Sequence, residues 1–220
     1  MKRVVLILTI AALVLSFSNA SIAQITEKGV KVGLNLANVS GDEADAVFMG
    51  EDPSNKMGFA VGGYILYPLN ETITMRVEAL YSQKGAKAEG EIDPGYYYYG
   101  YGETVDVEVE ATISYLEIPV LFQYDIQSSG NMKPFVFAGP YLAMKMSSKY
   151  KVTIDGDSES DDIEDLKGTD FGIVIGAGAK VTDKISVDAR YSMGLTTIVD
   201  EDDVDVKNKV IAITAGYALN

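Results

Sequence analysis

The stretch Ile113-Ser-Tyr-Leu-Glu-Ile-Pro-Val-Leu-Phe-Gln-Tyr124 decides how this chain folds. It is rich in β-branched and aromatic residues and carries Pro119 in its middle, where a helix interior would be broken. In an extended chain alternate side chains share a face. Glu117 and Gln123, six apart, therefore lie together, while Leu116, Ile118, Val120, Phe122 and Tyr124 form an opposite face without charge. A face that apolar needs a partner. The chain has too few helical segments to cover it, which leaves lipid outside and points Glu117 and Gln123 into a barrel lumen.

Composition narrows the chemistry. The 220 residues carry a formal charge of −14 and contain no Cys, no His and no Trp. That excludes a thiolate nucleophile, a disulfide framework, a Ser-His pair and the usual zinc ligands. A metal would have to be held by oxygen alone, no cofactor is expected, and the acidic balance argues against nucleic acid as a partner. At the N-terminus Lys2 and Arg3 precede an apolar run from Val4 to Phe17, and Ser21-Ile22-Ala23 closes it with small residues. This reads as a signal peptide over residues 1–23, since the run is short of the roughly 20 residues of a membrane span. Residues 24–220 are then the exported, single-domain part.

Eight segments after the signal peptide alternate with period two, and none shows a helical period. They are residues 29–38, 56–67, 72–84, 113–124, 133–146, 170–181, 184–194 and 207–219. One face of each is apolar, as with Val30, Val32, Leu34 and Leu36 in the first or Ile211, Ile213, Ala215, Tyr217 and Leu219 in the last. The other is mostly Gly, Ala and Ser with isolated charges. A soluble sandwich or lipocalin-like barrel would meet water there with Lys, Glu and Thr; small residues with few ions suit the cramped lumen of eight strands. Tyr67, Tyr81, Tyr124, Tyr141, Tyr191 and Tyr217 stand toward segment ends, as interfacial girdles would. The faces of the fifth segment are disturbed by Pro134, Gly139 and Pro140.

The connections alternate in length. Short turns follow the second, fourth and sixth segments. The other links, residues 39–55, 85–110, 147–168 and 195–206, are long and acidic, with charges of −5, −6 (over 87–110), −4 and −5. Short turns at one end and long charged loops at the other describe an all-β, eight-stranded antiparallel up-and-down transmembrane barrel of OmpA/OmpX-like size, with both termini on the periplasmic side.

Several residues stand out as site candidates. Lys31, Arg76, Glu78, Glu117, Lys180, Asp188 and Arg190 fall on inward faces, and charges in so narrow a lumen must pair. We expect a salt-bridged plug, Glu78 with Arg76 or Arg190 and Glu117 with a cation of a neighbouring strand; a small gated pore is the alternative, and Glu78 with Glu117 as a general acid and base a remoter one. Asp155, Asp157, Glu159 and Asp161 recur at every second position and suggest a weak divalent-cation loop, although a helix-loop-helix calcium site would need Gly where Ser160 stands and Glu where Leu166 stands. The bland reading is a solvated tip. Tyr96, Tyr97, Tyr98, Tyr99 and Tyr101 form a surface-contact loop, an upper girdle or a strand extension packing on its neighbour. Gly176-Ala-Gly178 lacks the spacing of a nucleotide loop and reads as a place where the wall bends.

The chain resembles the PorT-type outer-membrane β-barrel proteins of Bacteroidota. The resemblance lies in Gly29-Val-Lys-Val-Gly-Leu-Asn-Leu-Ala-Asn38, Glu78-Ala-Leu-Tyr-Ser-Gln-Lys-Gly-Ala86, Tyr115-Leu-Glu-Ile-Pro-Val-Leu121, Lys133-Pro-Phe-Val-Phe-Ala-Gly-Pro-Tyr141 and Ala189-Arg-Tyr-Ser-Met-Gly-Leu195. The C-terminus departs from the usual assembly signal, since Ala218-Leu219-Asn220 follows Tyr217. The resemblance implies an outer-membrane barrel and is far less specific for function. We expect a monomer without enzymatic activity, in contact with outer-membrane lipid, lipopolysaccharide and the barrel-assembly machinery, whose acidic loops play a structural or surface-interaction role. An extracellular or secretion partner is expected for those loops, and the alternative is a narrow porin-like channel or a component of a type IX or gliding-related secretion system.

Overall fold

The computed structural model describes residues 25–41, 44, 48, 52–92, 105–130, 132–201 and 204–219. The chain forms strands β1 (Glu27–Ser40), β2 (Lys56–Pro68), β3 (Ile73–Ile92), β4 (Val105–Asp125), β5 (Lys133–Ile154), β6 (Asp157–Asp162), β7 (Thr169–Lys180), β8 (Ile185–Gly194) and β9 (Lys207–Ala218). Neighbouring strands pair antiparallel throughout, and pairing of β1 with β9 closes a ring of eight that runs β1-β2-β3-β4-β5-β7-β8-β9. β6 stands outside the ring. It pairs with the last six residues of β5, Lys149 to Ile154, while β7 pairs with Lys133 to Met144 further down the same strand.

Period two sorts the side chains. Val32, Leu34, Met57, Val61, Tyr124, Ile175, Ile211 and Ile213 are exposed on the outer wall, while Lys31, Asn35, Arg76, Glu78, Glu117, Gln123, Asp188 and Arg190 are buried within. This inversion of a soluble protein is what hydrocarbon outside and a packed lumen inside demand. The apolar outer band on β3 and β4 spans Ile73 to Tyr81 against Tyr124 to Leu116. At ~3.3 Å per residue and a tilt of ~40° it is roughly 23 Å tall, which matches the hydrocarbon layer of an outer-membrane barrel.

Three strands are far longer than a crossing needs. β3, β4 and β5 have 20, 21 and 22 residues, against roughly 9–11 for a tilted crossing. The reading of 85–110 and 147–168 as loops is therefore corrected: Gly85 to Ile92 pairs with Thr112 to Val105, and residues 149–154 pair with 157–162, so the surplus forms a hydrogen-bonded sheet beyond the membrane. Gly85, with φ of 131°, sits where β3 leaves the barrel wall, and a Cβ there would lie 1.9 Å from the Ala111 carbonyl oxygen. At the far tip Asp155 and Gly156 have φ of 51° and 88° and join β5 to β6 through a two-residue turn, a conformation that the Asp-Gly pair accepts.

The inward face of β5 is the one the sequence left unsettled. Phe135, Phe137 and Tyr141 point inward, and each is directly paired with a glycine of β7, namely Gly178, Gly176 and Gly172. A Cβ on any of these glycines would come within 2.4–2.7 Å of the opposing ring. The glycines thus make room for aromatic rings, beyond any bending of the wall. Tyr141 is accordingly not a girdle residue: it is 1% exposed, inside the lumen. Opposite the step between Ser114 and Tyr115, the register skips Met146, a bulge that turns Ser148 inward above it.

The end with the long connections is stoppered. Val39, Ala44, Phe48, Ile198 and Val206 are buried with Ala86, Ala88 and Ile113 in one apolar cluster, against which Leu166, Val199 and Val204 pack. Expected as solvated acid, 39–55 and 195–206 bury Val39, Ala44, Phe48, Ile198 and Val206 over this end.

The charged lumen and its two ends

β1, β3 and β8 contribute the inward charges of the lower lumen because alternation places Lys31, Arg76, Glu78, Asp188 and Arg190 on their inner faces. Glu78, with 0% exposure, accepts from Lys31 Nζ at 2.6 Å and from Arg190 Nη1 at 2.7 Å. Arg76 Nε lies 3.2 Å from the same carboxylate. Asp188 accepts from Lys31 at 3.0 Å and from Arg190 Nη2 at 2.8 Å. Three cations therefore enclose two carboxylates, in contact and away from water. The Arg76 guanidinium also lies on the Phe137 ring, 4.1 Å from its centroid, and donates from Nη1 to Gln123 at 3.2 Å.

A second layer lies toward the stoppered end. Lys84 Nζ is 2.6 Å from Glu117 and 3.5 Å from Asp170, and it stands 4.2 Å over the Tyr141 ring. Asp170 accepts from the Tyr141 hydroxyl and from Asn208 Nδ2, each at 3.0 Å. The lower layer has one cation in excess and the upper layer one carboxylate, so the two together are neutral. Neutrality and short contacts are what make eight buried charges tolerable in a narrow lumen.

The structure thus brings together five of the seven expected interior charges, pairs Glu117 with Lys84 in the other layer, and places Lys180 elsewhere. Lys180 is at the rim of the short-turn end, partly exposed and bonded to Glu27, which also accepts from the Tyr64 hydroxyl at 2.8 Å. Lys84, Asp170 and Asn208 were missing from the sequence reading, although each falls on the inward parity of its strand. Glu78 and Glu117 are each committed to cations and sit in separate layers, an arrangement suited to fixing strand register rather than to passing protons to a bound molecule.

Space in the lumen is unequally distributed. At the short-turn end a cavity of about 540 Å³ is lined by residues that include Glu27, Glu71, Asp125, Lys133 and Lys180. Beyond it are spaces of about 10 Å³ beside Arg76 and about 20 Å³ between Arg190 and Lys84. Each of these holds about one water, at ~10–15 Å³ per molecule.

Outside the membrane, Asp157, Glu159 and Asp161 are exposed along the six-residue β6, spread by the rise of the strand rather than converging, with Asp155 in the turn before them. Among the described residues no group of three or more carboxylates is arranged to hold a metal ion. Glu89 stands opposite Glu108 across the β3–β4 ladder. Lys87 hydrogen-bonds Glu89, and that bond, with the nearby charges of Glu89, Glu108 and Glu110, raises its ammonium pKa above the ordinary value. Tyr96 to Tyr101 lie outside the described residues.

In comparison with known proteins, residues 22–200 match a family described as outer membrane protein beta-barrel domain. No curated protein matches the chain. Among solved structures it is similar to Neisserial surface protein A, with 16% identity over 86% of this chain and 96% of that one and a TM-score of 0.44. Ail, the attachment invasion locus protein of Yersinia pestis, shows 16% identity over 88% and 98% and a TM-score of 0.41. OprG from Pseudomonas aeruginosa shows 10% identity over 90% and 98% and a TM-score of 0.36.

Proposed function

The chain belongs to the outer membrane protein beta-barrel domain family and resides in the outer membrane, and from this premise we propose that it is a plugged barrel whose task is to hold an acidic sheet above the membrane for structural and surface-contact purposes. Residues 1–23 serve as its export signal, the short-turn end faces the periplasm, and the long connections face outward, following the usual asymmetry of such barrels. The observation that carries the reading is the continuation of β3, β4 and β5 as one ladder past the apolar band while the lumen beneath is filled. A chain that needed only a pore gains nothing from that extension; a contact surface gains rigidity. The partner such a surface fits is cationic, because exposed carboxylates of Glu89 and of the Asp157–Asp162 strand dominate it.

Two measurements test this. Planar-bilayer recording of the refolded barrel is expected to show no steady conductance; sustained single-channel steps would overturn the plugged reading. Replacing residues 86–110 by a two-residue turn is expected to leave membrane insertion intact and weaken binding of cationic surfaces to whole cells; unchanged binding would overturn the contact reading. The resemblance to PorT-type barrels favours a second reading, a component of a secretion system. A deletion strain that secretes normally would remove it.

A further inference from the structure

β6 has a free edge. It is the last strand of the sheet, and among the described residues it pairs only with β5. The two-residue turn at Asp155 and Gly156 makes Ile154 and Asp157 a hydrogen-bonded pair, and alternation then aims the backbone groups of Asp157, Glu159 and Asp161 at β5. Ile163 keeps that phase, donating its N–H to the Ser148 carbonyl at 3.0 Å. The backbone groups of Ser158, Ser160 and Asp162 therefore point away from the sheet. The Asp162 N–H is closed by its neighbour, donating to Asp161 Oδ1 at 2.8 Å. The N–H groups of Ser158 and Ser160 and the carbonyls of Ser158, Ser160 and Asp162 remain, spaced as a strand spaces them, and no described residue meets them. Side chains decide what such an edge accepts. On one face of the hairpin Asp157, Glu159 and Asp161 stand opposite Ile154, Val152 and Tyr150, so no cation answers them across the ladder. On the other, Ser158, Ser160 and Asp162 stand opposite Thr153, Lys151 and Lys149. Beside the uncompensated carboxylates Ile154 and Tyr150 are 48% and 39% exposed, above the apolar band. A second copy of β6 would set carboxylate against carboxylate, and an apolar strand would leave the three charges unanswered.

We propose that the edge of β6 takes up, as an added strand, an extended segment of a protein partner that carries Lys or Arg at every second position. This rests on the reading of the projecting sheet as a contact surface for a cationic partner, and it names the form the partner takes. Main-chain bonds to Ser158, Ser160 and Asp162 give the segment its register. In that register alternate side chains of the added strand fall beside Asp157, Glu159 and Asp161, with about 5 Å between Cβ atoms. Their aliphatic stems find cover on Ile154 and Tyr150 while the charged heads stay with the carboxylates. The intervening side chains lie beside Ser158 and Ser160 and need only be small and polar.

The test uses the full exported barrel in phospholipid nanodiscs and two probe peptides of equal charge, one alternating Lys and Thr and one with the same Lys and Thr in separate blocks. The alternating peptide is expected to bind about tenfold more tightly and to slow amide exchange at Ser158 and Ser160. Equal affinities with unchanged exchange there would overturn strand addition and leave the cationic-contact reading standing; failure of both peptides to bind would sink the two together. Ser160→Pro keeps every carboxylate, removes an outward N–H that β5 does not use, and puts proline on an edge, where it is tolerated. Protection of the Asp161 and Ile163 amides, which bond to β5, reports that the hairpin is intact. With the hairpin intact, Ser160→Pro is expected to weaken the alternating peptide about tenfold, the effect of one acceptor left unmet, and to leave the block peptide unchanged. An alternating peptide that binds Ser160→Pro as tightly as the parent would rule the site out.

Discussion

The same three strands, β3, β4 and β5, run through two environments, and they handle charge in opposite ways. In the wall below Gly85 their inward charges, Arg76, Glu78, Lys84 and Glu117, touch groups of opposite sign at 2.6–3.7 Å and are almost unexposed. Above it Glu89 is exposed and faces Glu108 across the ladder, Lys87 bonded to it is itself partly exposed, and Glu110 meets Lys56 at 3.3 Å near the junction. In the lumen a charge is tolerable only because a partner replaces its water; on the projecting sheet water itself is the partner, and like charges can be neighbours at small cost. It follows that lumen charges should be individually indispensable and surface charges individually dispensable.

The largest effect should come from Glu78. Glu78→Ala strands Lys31, Arg76 and Arg190 around a single carboxylate, and breaking a buried pair by removing one partner costs about 3–5 kcal/mol. Urea unfolding in phospholipid vesicles measures it. A loss near zero would mean that the layer is wet and that the contrast between the two regions is not electrostatic. Next comes the outer wall at the same height. Ile213, 62% exposed at the middle of β9, meets hydrocarbon, so Ile213→Arg should lower the same unfolding free energy by roughly 2–4 kcal/mol. A neutral result would mean that water, not lipid, surrounds the cylinder.

These two positions also mark what could be read from the chain alone. Alternation in Leu116 to Tyr124 distinguishes lipid side from lumen side because period two survives any error in strand ends. The charges at positions 31, 76, 78, 117, 188 and 190 were accessible for the same reason. Lys84, Asp170 and Asn208 were equally accessible by parity but stand where a segment begins or ends, so they were passed over as boundary residues. The projecting sheet was read as loop because its acid suggested solvent, yet Val105, Val107 and Val109 alternate there with Asp106 and Glu108, a strand pattern with one wet face. β6 has no apolar residue at all; only the Asp155-Gly156 turn announces it. No local signal in positions 198–206 says that Ile198 and Val206 fold back over the mouth, since that depends on what the other connections leave uncovered.

The joint between the regions offers the next test. At Gly85 a side chain meets both an unfavourable φ of 131° and the Ala111 carbonyl. Gly85→Ala should cost about 1–3 kcal/mol, the range for a strained backbone position. If the loss appears in proteolytic opening of the upper sheet but not in unfolding of the membrane part, the two regions are separately stable; a joint loss would mean that they fold as one unit.

The smallest effect should have the opposite sign. Glu89 and Glu108 are directly opposed in register, and like charges in that relation weaken a ladder by roughly 0.2–0.5 kcal/mol. Glu89→Gln removes the repulsion and also the negative charge that pairs with Lys87, which at an exposed site is worth little. The net expectation is a gain of a few tenths of a kcal/mol in low salt, read as slower amide exchange across the β3–β4 hairpin. In 1 M salt, where the screening length is about 3 Å, the variant and the parent should become indistinguishable. If instead the substitution loosens the hairpin in both salts, Glu89 is held by structure in the way Glu78 is, and the division between a paired interior and a solvated exterior fails at its upper end.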